Sequence, residues 1–246
     1  MVENKRRSGK SLFDSGEGLS SVAIDLLRIL KSRYNYRKLS AMTGFPVSTL
    51  TRYLTGKTVP KGPKTLKLLK NLVANVNLSA IIAQNIRNGD GYFDLTPVML
   101  NSNMVKVIGA HVINEFAGTK ITSILSLDVL SIPLATYLAT ATSRPLHIIS
   151  PEPLSVDGEN IPLVYPELGT TYAKSKWLLT NFRRKKESIL AVASQTPDPS
   201  FFNMLVKVLK RRGAEIAGIF MIVAKNDILQ KLNIPPGAKR SFILSD

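Results

Sequence analysis

The run from Ser188 to Asn226 limits the fold more than any other stretch. Ile189 to Ala193 is near-continuously apolar over a strand's length, and Pro199 to Arg212 carries apolar residues at helical spacing. Gly213 follows as a helix-ending residue, and Ile216 to Val223 is a second apolar strand. Strand, helix and strand in that order make a βαβ unit, and strands apolar at nearly every position predict a mainly parallel sheet covered on both faces. The elements upstream agree: a helix over Asn101 to Phe116 with Gly118 as its stop, a strand around Ile121 to Leu125, a helix from Ser131 to Thr142, and a strand from Leu146 to Ile149. An irregular region is expected up to Thr171, then a two-stranded projection from Tyr172 to Arg184. An α/β unit is therefore predicted from about Asp90 to the end.

The first third follows another grammar. A helix capped by Ser20 or Ser21 turns Val22, Ile24, Leu26, Leu27 and Leu30 inward. Tyr36 to Pro60 reads as two short helices, Arg37 to Thr43 and Pro46 to Thr55, joined at Gly44 and closed by Gly56. Leu39, Met42, Phe45, Val47, Leu50 and Tyr53 form its expected inner face, and Lys64 to Leu72 adds a helix with Leu66, Leu68, Leu69 and Leu72 available to the core. The formal charge is +16, of which residues 1–72 hold eleven. A basic bias of this kind favours a polyanionic partner.

KLSAMTGFPVSTLTRYLTGKTVP resembles the helix-turn-helix domain of Cro and phage repressors, in Ala41 where the two helices would cross closely, Gly44 in the turn, and the Ser/Thr-rich start of the second helix followed by Arg52 and Tyr53. The resemblance implies double-stranded DNA as partner, with Ser48, Thr51 and Arg52 at base edges and Thr49, Lys57, Lys61 and Lys64 at phosphates. Pro46 and Val47 depart from it, standing where a polar cap and often a glutamine are expected.

The element order of the remainder, IPLA at Ile132 to Ala135, the TTYAKSKW projection and the run ESILAVASQTPDPSFFNMLVKVLKRRGAEIAG resemble the type I phosphoribosyltransferase fold, orotate phosphoribosyltransferase-like proteins in particular. Joined to a helix-turn-helix, the whole looks like archaeal transcriptional regulators of that architecture, the group that includes the glucose/fructose catabolism regulator. Active enzymes of the family end the corresponding strand in two acids and continue into a loop whose amides cradle the 5′-phosphate. Here Ala193 and Ser194 hold the acidic places, and Pro197 and Pro199 remove amide donors. Asp198 sets a carboxylate at the phosphate position, and Asp128 does so in the pyrophosphate loop. These departures imply no enzyme. They leave a relict pocket of Asp128, Ser131, Ser194, Gln195, Thr196, Asp198 and Ser200, which either takes a nucleotide, base or small metabolite as effector or is filled by Leu127, Leu130 and Phe201. Lys174 and Lys176 fall in the projection, where the resemblance implies basic side chains on pyrophosphate, yet read rather as a solvated hairpin, and the clusters Arg183 to Lys186 and Lys207 to Arg212 read as solvated faces rather than contacts to flanking DNA.

The expected fold class is thus α/β: an all-α helix-turn-helix domain, then a type I phosphoribosyltransferase-like domain with a mainly parallel sheet. The expected divisions are a basic arm at 1–19, the DNA-binding domain at 20–74, a connector at 75–98 and a dimerising domain at 99–246. The function so implied is a homodimeric, sequence-specific transcriptional regulator in the cytoplasm at the nucleoid. Its rivals are a nonspecific architectural DNA-binding protein and a working phosphoribosyltransferase, which base-dependent release of pyrophosphate would establish. No cysteine is present, so disulfides and thiolate metal sites are excluded, and no metal or cofactor is expected. The start shows no signal-peptide pattern, and no apolar run suits a membrane span.

Overall fold

The computed structural model describes residues 16–89, 92–154, 159–167, 171–180 and 186–246. In chain order the helices are α1 (Gly16–Lys31), α2 (Tyr36–Thr43), α3 (Val47–Leu54), α4 (Pro63–Ala74), α5 (Leu78–Asn85), α6 (Thr96–Met99), α7 (Ser102–Glu115), α8 (Ile132–Thr142), α9 (Pro199–Arg211) and α10 (Asn226–Leu229). The strands are β1 (Arg87–Gly89), β2 (Tyr92–Asp94), β3 (Ser123–Ser126), β4 (Leu146–Ser150), β5 (Glu159–Pro166), β6 (Ala173–Thr180), β7 (Glu187–Gln195), β8 (Ala214–Ala224) and β9 (Lys239–Ser245).

The main sheet runs β5-β6-β4-β3-β7-β8-β9. Pairings from β4 through β3, β7 and β8 to β9 are parallel, while β6 joins β4 antiparallel and β5 joins β6 antiparallel. The reason lies in the sequence: Ile189, Leu190, Ala191 and Val192 of β7 are all fully buried, so both faces of the central strand are covered. One face packs on α7, α8 and, beyond them, α1, α3 and α4, in a core that includes Ile108, Ile113, Leu134 and Leu138. The other packs on α9, with Phe201, Phe202 and Leu205 against Ile161, Leu163 and Leu178. Gly109 lets α7 and α8 touch, because a Cβ there would stand 2.4 Å from the Tyr137 ring.

Several expectations are corrected here. The helix α1 begins at Gly16, and Ser20 does not cap it. Ser20 is buried, and its hydroxyl donates to the Pro60 carbonyl at 2.7 Å, tying α1 to the segment before α4. Gly44 does take the left-handed conformation at the end of α2 (φ 69°), but Val47 and Leu66 face outward at 40% exposure each, and Ala41 is exposed too. The buried stripe of these short helices is narrower than periodicity suggested, and Leu39, Leu50 and Tyr53 fill it. The region read as irregular contains β5, so the projection is a hairpin pairing Glu159 with Thr180 through Pro166 with Ala173. The supposed connector carries α5, capped by the Asn77 side chain, and a β1–β2 pair. Most of the basic arm, and Arg183 to Lys185, lie outside the described residues.

Candidate functional site at the strand ends

The candidate site forms where β3 and β7 end side by side. After β3 the chain is pinned to β7 by the Leu127 amide, which donates to the Val192 carbonyl at 2.9 Å. Asp128 then accepts from two amides: Ser131 N–H to Oδ1 at 2.8 Å, and Ser194 N–H, across the gap at the end of β7, to Oδ2 at 2.7 Å. The Ser131 hydroxyl lies 2.7 Å from that of Ser126, and both are buried, so the turn into α8 is held from beneath.

The exit from β7 is held differently. The Gln195 side chain donates to the Phe93 carbonyl at 3.0 Å, which brings the β1–β2 pair over the end of the strand. The Thr196 hydroxyl accepts from the Lys225 amide at 2.8 Å, joining this loop to the end of β8. Asp198 caps α9 by accepting from the Phe201 amide at 2.9 Å. Ser200 sits half-buried in the first turn of α9.

The hairpin closes one side. Lys176 of β6 sets its ammonium 4.3 Å from the Phe201 ring centre, and Phe201 packs at 5.5 Å against Tyr165 of β5. Burial pulls the Lys176 ammonium below its usual range, while the negative charges of Asp128 and Asp198 oppose the shift. Those two carboxylates therefore face the lysine from separate loops. Burial raises the Tyr165 phenol, with Asp198 adding to the effect. On the opposite side the Lys225 ammonium stands 5.8 Å from the Phe93 ring.

Asp128, Ser131 and Ser194 thus come together directly, whereas Gln195 and Thr196 turn outward to neighbouring elements and Asp198 serves its own helix. Leu127 and Phe201 are buried, and Leu130 is packed on the core. Lys176, Tyr165, Phe93 and Lys225 were missed as site residues. An alternating TYAKSKW stretch beside a predicted strand end was the available signal for Lys176, but its burial depends on α9, distant in sequence.

The residues assigned to DNA lie elsewhere. Ser48, Arg52, Lys57, Lys61 and Lys64 are exposed. Thr49, Arg52, Lys61 and Lys64 line one open cleft of about 590 Å³. The Thr51 hydroxyl donates to the Val47 carbonyl of its own helix at 2.9 Å, which takes its proton from any base edge.

The fold is α/β with a mostly parallel sheet, of the type I phosphoribosyltransferase-like kind. Solved adenine phosphoribosyltransferases superpose on it: that of Rhodothermus marinus with TM-score 0.56 at 14% identity, over 70% of this chain and 100% of that one, and that of Thermoanaerobacter pseudethanolicus with TM-score 0.57 at 14% identity, over 68% and 99%. Among curated proteins, the hypoxanthine/guanine phosphoribosyltransferase of Methanohalophilus mahii is 30% identical over 118 residues, 48% of this chain and 60% of its own length, so the match spans less than two thirds of that relative. The Methanosarcina barkeri protein of the same name is 24% identical over 67% of this chain and 88% of its own length. No family model matches the chain.

These likenesses overturn the expectations of a DNA-binding transcriptional regulator, of a chain that is no enzyme, and of duplex DNA as its main partner, because the curated relatives it resembles are named as phosphoribosyltransferases. The regulator reading leaned on a basic helical face, and such a face is more often simply solvated. No single helix among the described residues is long and apolar enough to cross a membrane.

Proposed function

We propose that this chain is a phosphoribosyltransferase that joins a purine base to the ribose 5-phosphate unit of phosphoribosyl pyrophosphate. In this reaction the bond from C1′ to pyrophosphate breaks, a bond from C1′ to a ring nitrogen of the base forms, and the proton of that nitrogen passes to solvent. The observation that carries the reading is the agreement of four curated relatives on the name hypoxanthine/guanine phosphoribosyltransferase, one of them matched over 88% of its length. The pocket of Asp128, Ser131, Ser194, Gln195, Thr196, Asp198 and Ser200 is proposed as the phosphoribosyl pyrophosphate site, at the carboxyl ends of the strands where open α/β sheets receive ligands.

Lys176 is the cation proposed to meet the ligand's negative charge, since the charges of Asp128 and Asp198 already act on it, and its partial burial strengthens each of those interactions. Ser194 places a hydroxyl where carboxylates of the family meet ribose hydroxyls, so the ribose is held by neutral hydrogen bonds. Phe93 and Lys225 offer an aromatic face and a donor on the base side, a pairing suited to a flat ring with a carbonyl oxygen. We further propose the division into a basic arm that ends before α1 begins at Gly16, a helical domain to residue 74, a connector at 75–98 that lends Phe93 to the site, and an α/β domain at 99–246 that carries the rest of the chemistry.

The test is incubation of the full chain with phosphoribosyl pyrophosphate and, separately, hypoxanthine, guanine, xanthine and adenine, following nucleotide formation and pyrophosphate release. Nucleotide formed from at least one base is expected. Silence with all four overturns the proposal.

A further inference from the structure

The amide seat at the strand ends is already taken by a side chain of the protein. Asp128 is half-buried, and both its oxygens are engaged, one by the Ser131 amide at 2.8 Å and the other by the Ser194 amide at 2.7 Å. The second bond spans 66 positions of chain and bridges the loops after β3 and β7. A carboxylate on two backbone amides makes the contacts an oxyanion of phosphate would make there, with the same sign of charge. The half-buried Lys176 ammonium lies within reach of the charges of both Asp128 and Asp198.

We propose that Asp128 is a built-in competitor of pyrophosphate: its carboxylate occupies the oxyanion seat, and the ligand binds by displacing it from the Ser194 amide. This rests on the reading of the site as one for phosphoribosyl pyrophosphate and adds a regulation to it. Two like charges cannot share the seat, since each would lose its donors to the other and repel it across a partly dehydrated gap. The apparent affinity is therefore reduced by the fraction of molecules in which the carboxylate is seated. Displacement also breaks the side-chain tie between the loop after β3 and the end of β7, while the Leu127 amide stays on the Val192 carbonyl.

Pyrophosphate is the probe, titrated calorimetrically into the full chain and into Asp128→Asn. Asparagine is neutral and has one acceptor oxygen for two amides, so the variant is expected to bind about tenfold or more tightly, the scale of one charge-assisted hydrogen bond. Equal or weaker binding by a folded variant overturns the proposal. Should the variant fail to fold, the wild type decides through its Ser194 amide resonance, which is expected to shift as pyrophosphate saturates the protein; a silent Ser194 amide, or no binding by either protein, overturns it. The outcomes separate from those of the enzymatic reading. Tighter binding by the variant without turnover of any purine sinks the enzyme and leaves the competitor, whereas turnover with unchanged pyrophosphate affinity does the reverse.

Discussion

The two crossovers that leave the centre of the sheet, after β3 and after β7, are built from the same parts and use them differently. Each has an aspartate in a short loop and a proline in the first turn of the helix that follows, Asp128 with Pro133 and Asp198 with Pro199. Among the described residues the Asp198 side chain accepts only locally, from the Phe201 amide within its own helix start. Asp128 divides itself between its own turn and a neighbouring strand end. The one stabilises a helix, and the other couples two loops. Their surroundings differ in the same sense: Phe201 is buried beneath the hairpin, while Val129 at the tip of the β3 loop is 64% exposed. The β3 loop is thus fixed at its two ends and open at its tip, whereas the β7 loop leads straight into a buried ring.

Substitutions can break that comparison. Phe201→Ala should have the largest effect, a loss of about 3–5 kcal/mol of unfolding free energy from the cavity left under Tyr165 and Lys176. Denaturant unfolding would measure it, and a loss below about 1 kcal/mol would show the ring to be dispensable as an anchor. Asp128→Ala should cost about 2 kcal/mol, because two amides lose a charged acceptor at a partly buried place. Asp198→Ala should cost about 1 kcal/mol, the usual scale for an N-cap on an exposed turn. If the two aspartate variants prove equal, the cross-loop bond adds nothing to a cap, and the contrast between the loops fails.

What could be read beforehand divides along the same line between local and distant contacts. The βαβ unit was legible because Ile189 to Val192 and Ile216 to Val223 are apolar without interruption and Gly213 marks the turn between helix and strand. The helix expected over Asn101 to Phe116 was legible to within a residue at each end, with the Asn101 side chain standing just before it as cap on the Asn103 and Met104 amides. By contrast β5 was hidden by Pro162 and Pro166, which an edge strand tolerates with the prolines facing out while Ile161, Leu163 and Tyr165 turn in. Periodicity placed Val47 and Leu66 inside because short helices at a domain surface bury less than a full apolar stripe. Of the site, Asp128 and Ser194 were singled out, but their bond was not, since nothing local in sequence announces a contact between separate crossovers. Lys176 was read as solvated because the ring that covers it, Phe201 of α9, is distant in sequence.

The opposite end of the sheet gives the sharpest contrast with the two loop aspartates, and the smallest predicted effect. There His147 at the start of β4 is buried, with Nδ1 2.9 Å from the Thr180 hydroxyl and Nε2 3.2 Å from Glu187, whose carboxylate also accepts from the Ser123 hydroxyl at 2.6 Å. Burial holds the imidazole below its ordinary 6.5, against the pull of Glu187, so the contact is that of a neutral ring donating to a carboxylate. The sign follows from proton counts. Between the lowered folded value and 6.5 the unfolded chain binds more protons than the folded one, so stability falls as pH is lowered through that window and is constant above it. A single group can contribute a slope of at most about 1.4 kcal/mol per pH unit. His111, also lowered chiefly by burial, adds a slope of the same sign, so His147→Asn should remove only part of the dependence. Unfolding free energies at several pH values from 7 downwards would show this as a shallower decline in the variant than in the wild type. Parallel declines would mean that burial and Glu187 cancel, so that the imidazole takes up its proton alike in the folded and unfolded chain, and a steeper decline in the variant would mean that Glu187 outweighs burial.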